Sequence, residues 1–201
     1  MLTSLSKKVK ILIVAACLAA VFVILNFGYF WANLAFIINP PKAATQSATQ
    51  NVYAAQPTMQ PNLLIIDSLG ITAPVVYATS TGETAFQAAL INGPTHYPGT
   101  ANPGEFGNAY IFGHSSDFIW SKGHYKNVFA LLPKIKLDAQ IVISNQQGNK
   151  FIYTVTDSRE VAANDLSVLS QQNYQKKLLT LQTSYPVGTA LARWVVVAEI
   201  K

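Results

Sequence analysis

Two side chains near the C-terminus of this sequence could take part in group-transfer chemistry. Residues 178–184 alternate apolar and polar side chains, as a half-buried strand does, so Ser184 is expected at the exit of a strand. A proline and a glycine then interrupt the pattern, and a second β-rich run begins just before Arg193. If the two runs pair as a hairpin, a hydroxyl nucleophile lies beside a fixed cation. The alternative for these residues alone is an ordinary hairpin with a surface serine and a solvated arginine.

A third candidate is His114, which follows a glycine at the end of a predicted strand over residues 109–112. An imidazole can act as a general acid or base because its pKa lies near neutral pH. A single histidine in a β domain is more often structural, so the argument depends on the combination. His114, Ser184 and Arg193 all fall at predicted strand ends, where the rim of a barrel would bring them together.

The remaining histidines and the single cysteine predict neither a metal site nor a disulfide. His96 and His124 fall in predicted loops and are interpreted as structural or surface residues. The three histidines lack the spacing of a helical metal pair, and no Cys/His cluster has zinc spacing, so no metal and no other cofactor is expected. Cys17 is the only cysteine, which excludes a disulfide within the chain.

The elements that must position the three residues are mostly β-strands. One short helix is predicted over residues 83–90, helical turns over 128–132 and 165–169, and a hairpin across the turn at 147–149. Strands are predicted over residues 63–66, 71–77, 109–112, 140–144, 150–156, 178–184 and from 192 onward. Seven or eight short strands with few helices predict a closed or nearly closed β-barrel.

The N-terminal part of the chain has the composition of a membrane anchor. Of the 201 residues, 50% are hydrophobic and only 11% are charged, and no charge occurs between residues 11 and 38. A transmembrane helix needs roughly 20 apolar residues, and basic residues before it favour a cytoplasmic N-terminus. A cleaved signal peptide is the alternative, but its apolar core is only about 7–15 residues long.

The sequence therefore divides into four predicted segments. Residues 1–10 form a cytoplasmic basic N-terminus, and residues 11–39 form an uncleaved transmembrane signal-anchor. Residues 40–60, rich in Ala, Thr, Gln, Ser and Pro, form a flexible extracytoplasmic stalk. Residues 61–201 form the folded domain outside the membrane. The net charge of +5 is concentrated in the N-terminal lysines, and without a basic stripe or a known module no nucleic-acid partner is expected.

Three blocks of this sequence resemble the sortase family. Residues 92–114 (NGPTHYPGT through PGEFGN to GH) are similar to the segment that carries the catalytic histidine in sortases. Residues 180–186 (TLQTSYP) resemble the TLxTC motif, and Arg193 falls at the position of the family's catalytic arginine. Residues 136–141 and 164–165 resemble sortase blocks more loosely. The resemblance covers roughly residues 62–200 and implies a membrane-anchored, sortase-like closed β-barrel of seven to eight strands.

The resemblance also implies a reaction, a set of partners and a role for each residue. In the family, a cysteine thiolate attacks the Thr–Gly bond of an LPxTG-type sorting signal on a surface protein. An amine of a cell-wall precursor or a pilin then resolves the thioacyl intermediate. His114 would protonate the leaving amine, Arg193 would hold the substrate or stabilise the oxyanion, and Ser184 stands at the nucleophile position. The remaining partner is the membrane lipid around the anchor.

The departure from the family is Ser184, which stands where sortases have cysteine. A thiol has a pKa of about 8.5 that nearby positive charge can lower, whereas a serine hydroxyl needs a general base oriented by a third group. Asp117 is the only carboxylate near His114 in sequence. The serine has three explanations: an engineered Cys→Ser change, a natural homologue with lost or altered catalysis, or a true serine acyl-transferase. The expected activity is therefore impaired.

Three other functions remain open from the sequence. The first is a binding module that holds a sorting signal or a wall fragment without turning it over. The second is a serine hydrolase that uses Ser184 and His114, which would require a carboxylate partner for the imidazole. The third is a membrane-tethered structural barrel. Both enzyme interpretations require His114, Ser184 and Arg193 to converge on one groove.

Overall fold

The computed structural model describes residues 6–41, 59–118, 120–172 and 175–200. Two helices precede the β domain: α1 spans Lys7–Leu25 and α2 spans Phe27–Ile38. The Ser6 hydroxyl caps α1 by accepting a hydrogen bond from the Val9 amide at 3.4 Å. Most of the predicted stalk, residues 42–58, lies outside the described residues.

The helices α1 and α2 differ in what surrounds them. Within the described ranges, α1 is the one helix long and apolar enough to cross a membrane, and its side chains are exposed all round. Asn26 separates it from α2 by leaving the helical conformation, with φ −110° and ψ 26°. In α2, Ala32 and Phe36 pack against the core of the β domain. An apolar N-terminal helix is compatible with a membrane anchor, and the boundaries of the span stay a prediction.

Nine strands form a single sheet in the order β2-β1-β6-β7-β9-β8-β5-β4-β3. A short helix, α3 (Glu83–Leu90), lies between β3 and β4. The strands are β1 (Leu63–Ile66), β2 (Ile71–Pro74), β3 (Val76–Tyr77), β4 (Thr95–His96), β5 (Gly107–Phe112), β6 (Gln140–Ser144), β7 (Lys150–Ala162), β8 (Lys177–Tyr185) and β9 (Ala192–Glu199).

The sheet curls into a nearly closed barrel. Its two edge strands, β2 and β3, are consecutive in the chain and are separated only by Val75, so the two edges of the sheet meet at this residue. The prediction of a mostly β, nearly closed barrel with short helices is thereby confirmed. The count of strands is nine rather than seven or eight, because β3 and β4 have two residues each and are too short to produce a periodic pattern.

The core fills the interior of the barrel. Tyr153 and Val155 of β7 point inward and are buried, as the alternation along that strand predicts, and Phe151 packs against the same cluster. Strand β5 is buried at five of its six positions because it has a neighbour on each side, β8 and β4. The rigid strands of this core carry the candidate site at their ends.

Candidate functional site

The first part of the site is formed by two parallel strands that end at the same edge of the sheet. β5 and β8 pair in parallel with Phe112 opposite Gln182. Because parallel strands advance together, the next two residues of each chain segment are neighbours, which brings His114 beside Ser184. These residues are 70 positions apart in sequence, so only the register of the sheet unites them.

Two hydrogen bonds extend this register beyond the end of β5. The Gly113 amide donates to the Gln182 carbonyl at 3.0 Å, and the Thr183 hydroxyl donates to the Gly113 carbonyl at 2.8 Å. Thr183 is fully buried, so water does not compete for the hydrogen bond of its hydroxyl. The backbone immediately before His114 is therefore fixed to the backbone immediately before Ser184.

Gly113 also satisfies a packing requirement. A Cβ atom at this position would lie 2.8 Å from Cδ2 of Phe129, whose ring is fully buried. Any side chain here would push the segment away from the core and displace His114. The structure thus gives a steric reason for the glycine that precedes His114.

The second part of the site is the β8–β9 hairpin, which pairs as the sequence predicted. Ser184 and Arg193 are register partners across the two antiparallel strands. Nη1 of Arg193 donates to the carbonyls of Ala190 and Ala192 at 3.0 and 2.9 Å, which holds the guanidinium against the connecting turn. Within the described residues, Arg193 makes no salt bridge to a carboxylate, so its charge is not neutralised by a partner.

His114, Ser184 and Arg193 line one cavity of about 470 Å³. Its walls are largely aromatic and aliphatic, with Phe86, Tyr97 and Phe112 on one side and a 3₁₀ turn, Leu166–Leu169, on the other. The Asp165 carboxylate caps that turn by accepting from the Ser167 amide at 2.9 Å. A cavity lined mainly by apolar side chains, with several polar and charged groups among them, can hold and orient a peptide ligand.

A second cavity, of about 490 Å³, lies on the other side of His114 and Ser184. It is bounded by residues 115–118, by the turn at 188–190 and by Phe22, Leu25 and Asn26 of the N-terminal helices. The two candidate residues therefore stand between two open spaces. This second cavity could not be predicted from the sequence, because a charge-free apolar helix has no pattern that indicates which part of the domain it contacts.

Burial lowers the pKa of His114 below its ordinary value, and the negative charge of Asp117 opposes this effect only in part. The imidazole is therefore neutral near pH 7. The Asp117 carboxylate is held within its own loop, where Oδ1 accepts from the Phe118 amide at 2.7 Å and from the Ser121 hydroxyl at 2.8 Å. No hydrogen bond joins His114 to a carboxylate in the part of the chain that the structure describes.

Tyr110 is a site residue that the sequence analysis missed. Its hydroxyl donates to Oε1 of Gln182, and both side chains line the cavity of about 470 Å³ that also holds Arg193. Burial raises the pKa of Tyr110 well above its usual value although the Arg193 charge opposes this, so the phenol stays protonated. An aromatic residue inside an apolar strand looks like core in the sequence, and no local pattern distinguishes it.

The other two histidines lie away from this site. His96 stacks on Tyr77 with ring centroids 4.6 Å apart, and its Nε2 donates to the Ala101 carbonyl at 2.8 Å. His124 lines a separate cavity beside Leu69 and Tyr125. Among the described residues, no three His, Cys, Asp or Glu side chains come together in a group that could hold a metal ion.

Comparison with known proteins identifies the fold. Residues 64–201 match the family model of the sortase domain. A sortase D5 transpeptidase of Clostridium perfringens is similar over 69% of this chain and 77% of its own, with 25% identity and a TM-score of 0.56. A lid mutant of sortase A from Corynebacterium diphtheriae is similar over 74% of this chain and 73% of its own, with 25% identity and a TM-score of 0.57. Sortase C1 of Streptococcus suis, 18% identical over 72% of this chain and 74% of its own, shares the fold with a TM-score of 0.59. Comparison with curated proteins gave no match.

Proposed function

This chain belongs to the sortase family, and from that premise we propose that it binds an LPxTG-type sorting signal and is built to transfer the acyl group to an amine. The acceptor is an amine of a cell-wall precursor or of a pilin subunit. The observation that carries the proposal is the convergence of His114, Ser184 and Arg193 on one largely apolar cavity of about 470 Å³. Segments separated by some 70 residues contribute to it, which an ordinary surface hairpin would not require.

Each of the three residues has a proposed role that follows from its chemistry. With cysteine at position 184, the thiol passes its proton to the neutral His114 imidazole as the sulfur attacks the Thr carbonyl of the signal, and the bond to the next residue then breaks. The departing amine takes its proton from His114, and the incoming amine later gives a proton back to the imidazole. The Arg193 guanidinium holds the substrate or stabilises the oxyanion, because its charge is fixed by the turn carbonyls and has no carboxylate partner in the described ranges.

The serine form is proposed to be inactive or impaired. A serine hydroxyl must lose its proton to a base as it attacks, and such a base works well when a third group orients it. Burial keeps His114 neutral, which suits a base, but Asp117 is engaged with its own loop. The serine hydrolase therefore lacks the carboxylate partner that it would need. The same geometry favours a second candidate, a module that binds the sorting signal without turning it over.

The proposed location is the cell membrane, with a single span, a cytoplasmic N-terminus and the barrel outside. Support comes from the helix α1, which is apolar and exposed all round, and from the lysines at its beginning. Outside the membrane, the barrel is proposed to meet both the surface protein and the amine acceptor.

The decisive experiment compares the full chain with its Ser184→Cys variant in detergent or nanodiscs. Both are incubated with an LPxTG-type peptide and an amine, and cleavage and transfer products are separated by mass. Activity that appears only with cysteine supports the transpeptidase, and Ser184→Ala is the control for background hydrolysis. Activity in both forms supports true serine catalysis. Binding without turnover in either form supports the binding module, and neither binding nor turnover overturns the proposal.

A further inference from the structure

An exposed aromatic pair follows the candidate histidine. Phe118 and Trp120 are 48% and 69% exposed, and their rings stack with centroids 5.0 Å apart and an interplanar angle of 4°. Large aromatic side chains on a protein surface usually mark a contact with another molecule or with a membrane. Neither ring lines the cavity of about 470 Å³ in which His114, Ser184 and Arg193 converge, so that cavity does not explain the pair.

The segment that carries this pair lies against the last turns of α1. Phe118 lines the second cavity together with Phe22 and Leu25. Two residues earlier, the Ser116 hydroxyl donates to Oδ1 of Asn26 at 2.9 Å. Asn26, which links α1 to α2, is the one buried residue among residues 6–41, so this hydrogen bond is sheltered from water. The height of the aromatic pair relative to a membrane is therefore set by the end of α1.

The length of α1 places its end at the membrane surface. The helix has 19 residues, which at about 1.5 Å per residue gives a length of about 28 Å. The hydrocarbon core of a bilayer is roughly 30 Å thick, and the lysine side chains in the first turn of α1 extend to the cytoplasmic headgroups, so the whole helix is needed to cross the core. Its last turns lie at the boundary between acyl chains and headgroups, and a segment that contacts Phe22 and Leu25 lies at that boundary too.

We propose that Phe118 and Trp120 insert into the interface of the same bilayer that holds α1, as a second membrane contact of the protein. The inference rests on the proposed membrane anchor. Aromatic side chains favour this interfacial zone because their rings are apolar and, in tryptophan, carry a polar N–H. Lys122, exposed two residues later, is suited to anionic headgroups. The contact holds the segment after His114 at the membrane surface, so the candidate cleft opens at lipid level.

The test measures how deeply Trp120 enters the bilayer. The full chain contains three tryptophans, so Trp31→Phe and Trp194→Phe together leave Trp120 as the only reporter. The protein is reconstituted in nanodiscs of phosphatidylcholine and phosphatidylglycerol that carry bromine near the top of the acyl chains. In the matched control, Phe106→Trp is combined with Trp120→Phe. Phe106 is 60% exposed and precedes β5, at the opposite end of that strand from His114.

We expect bromine to quench at least half of the Trp120 emission and little of the emission from position 106. Equal weak quenching at both positions, while the chain stays in the nanodisc, overturns the inference and leaves the anchor intact. Extraction of the chain from membranes by alkaline carbonate overturns the anchor and the inference together. If the double variant does not fold, the difference in quenching between the unmodified chain and Trp120→Phe gives the same quantity.

Discussion

The hydrogen bond from Thr183 to Gly113 is the most direct link between the strands that carry Ser184 and His114. Thr183→Val keeps the shape of the side chain but removes the hydroxyl that donates at 2.8 Å. The Gly113 carbonyl then has no donor at this buried position. Leaving a buried polar group unsatisfied costs about 1–3 kcal/mol in the free energy of unfolding. For a protein of this length, about 1 kcal/mol corresponds to roughly 2–4 °C in the melting temperature, so a decrease of about 2–12 °C is expected.

The assay combines stability with the position of the histidine. Thermal unfolding in detergent micelles gives the first quantity, and the NMR chemical shift of the His114 imidazole gives the second. Thr183→Ser is the control because it keeps the hydroxyl and loses one buried methyl group, worth about 0.8 kcal/mol. We expect the His114 resonance to move in Thr183→Val and to stay in place in Thr183→Ser.

Two results would refute this reasoning. If Thr183→Val unfolds within about 0.5 kcal/mol of the unmodified protein, the hydroxyl does not hold the two strands together. If both variants shift the His114 resonance equally, the methyl group, and not the hydrogen bond, determines where the imidazole lies.

Three further predictions concern other contacts. Gly113→Ala forces a Cβ to within 2.8 Å of the buried Phe129 ring, so we expect a loss of about 1–3 kcal/mol in the urea-unfolding free energy. An unchanged unfolding midpoint would contradict the packing argument. Burial lowers the pKa of His96 and His114 in the folded state. The unfolded chain therefore binds more protons, and stability falls as the pH drops below about 6.5. Equal urea midpoints at two pH values, one above and one below about 6.5, would contradict this pH dependence. Asn26→Leu removes the acceptor of the 2.9 Å hydrogen bond from the Ser116 hydroxyl. We therefore expect a lower melting temperature and a loss of about 1 kcal/mol in the free energy of unfolding. A melting temperature equal to that of an exposed-face control, Leu18→Ile, would show that the bond is not formed.

Local patterns in the sequence predicted the local parts of the fold. The β6–β7 and β8–β9 hairpins follow from alternation and turn residues within about 20 residues of chain, and α3 follows from its apolar face. The segment 128–132 is turn, and the 3₁₀ turn begins only at Leu132. Gly82 occupies the cap position of α3 without a side-chain hydrogen bond.

The non-local parts could not be read from the same patterns. The parallel pairing of β5 with β8 brings His114 to Ser184, and its register depends on which buried faces fit together across the barrel. The docking of α2 likewise depends on two side chains, Ala32 and Phe36, in a run that is apolar throughout. Strand spacing indicated Ser184, Arg193 and His114 one by one, and the family resemblance supplied the reason to group them in one site. Their catalytic roles stay predictions.

The pairing of β5 with β8 also determines when the cleft can form. Hairpins such as β6–β7 close a loop of a few residues and can form early, whereas the contact of Gly113 with Thr183 closes a loop of 70 residues. A ribosome makes the chain from the N-terminus, so the helix α1 is complete long before Thr183 exists. During this interval the strand that carries His114 has only β4 beside it and no partner on its other edge. A chain still being synthesised therefore holds its histidine without its cleft, and the candidate site forms only when nearly the whole protein has been made.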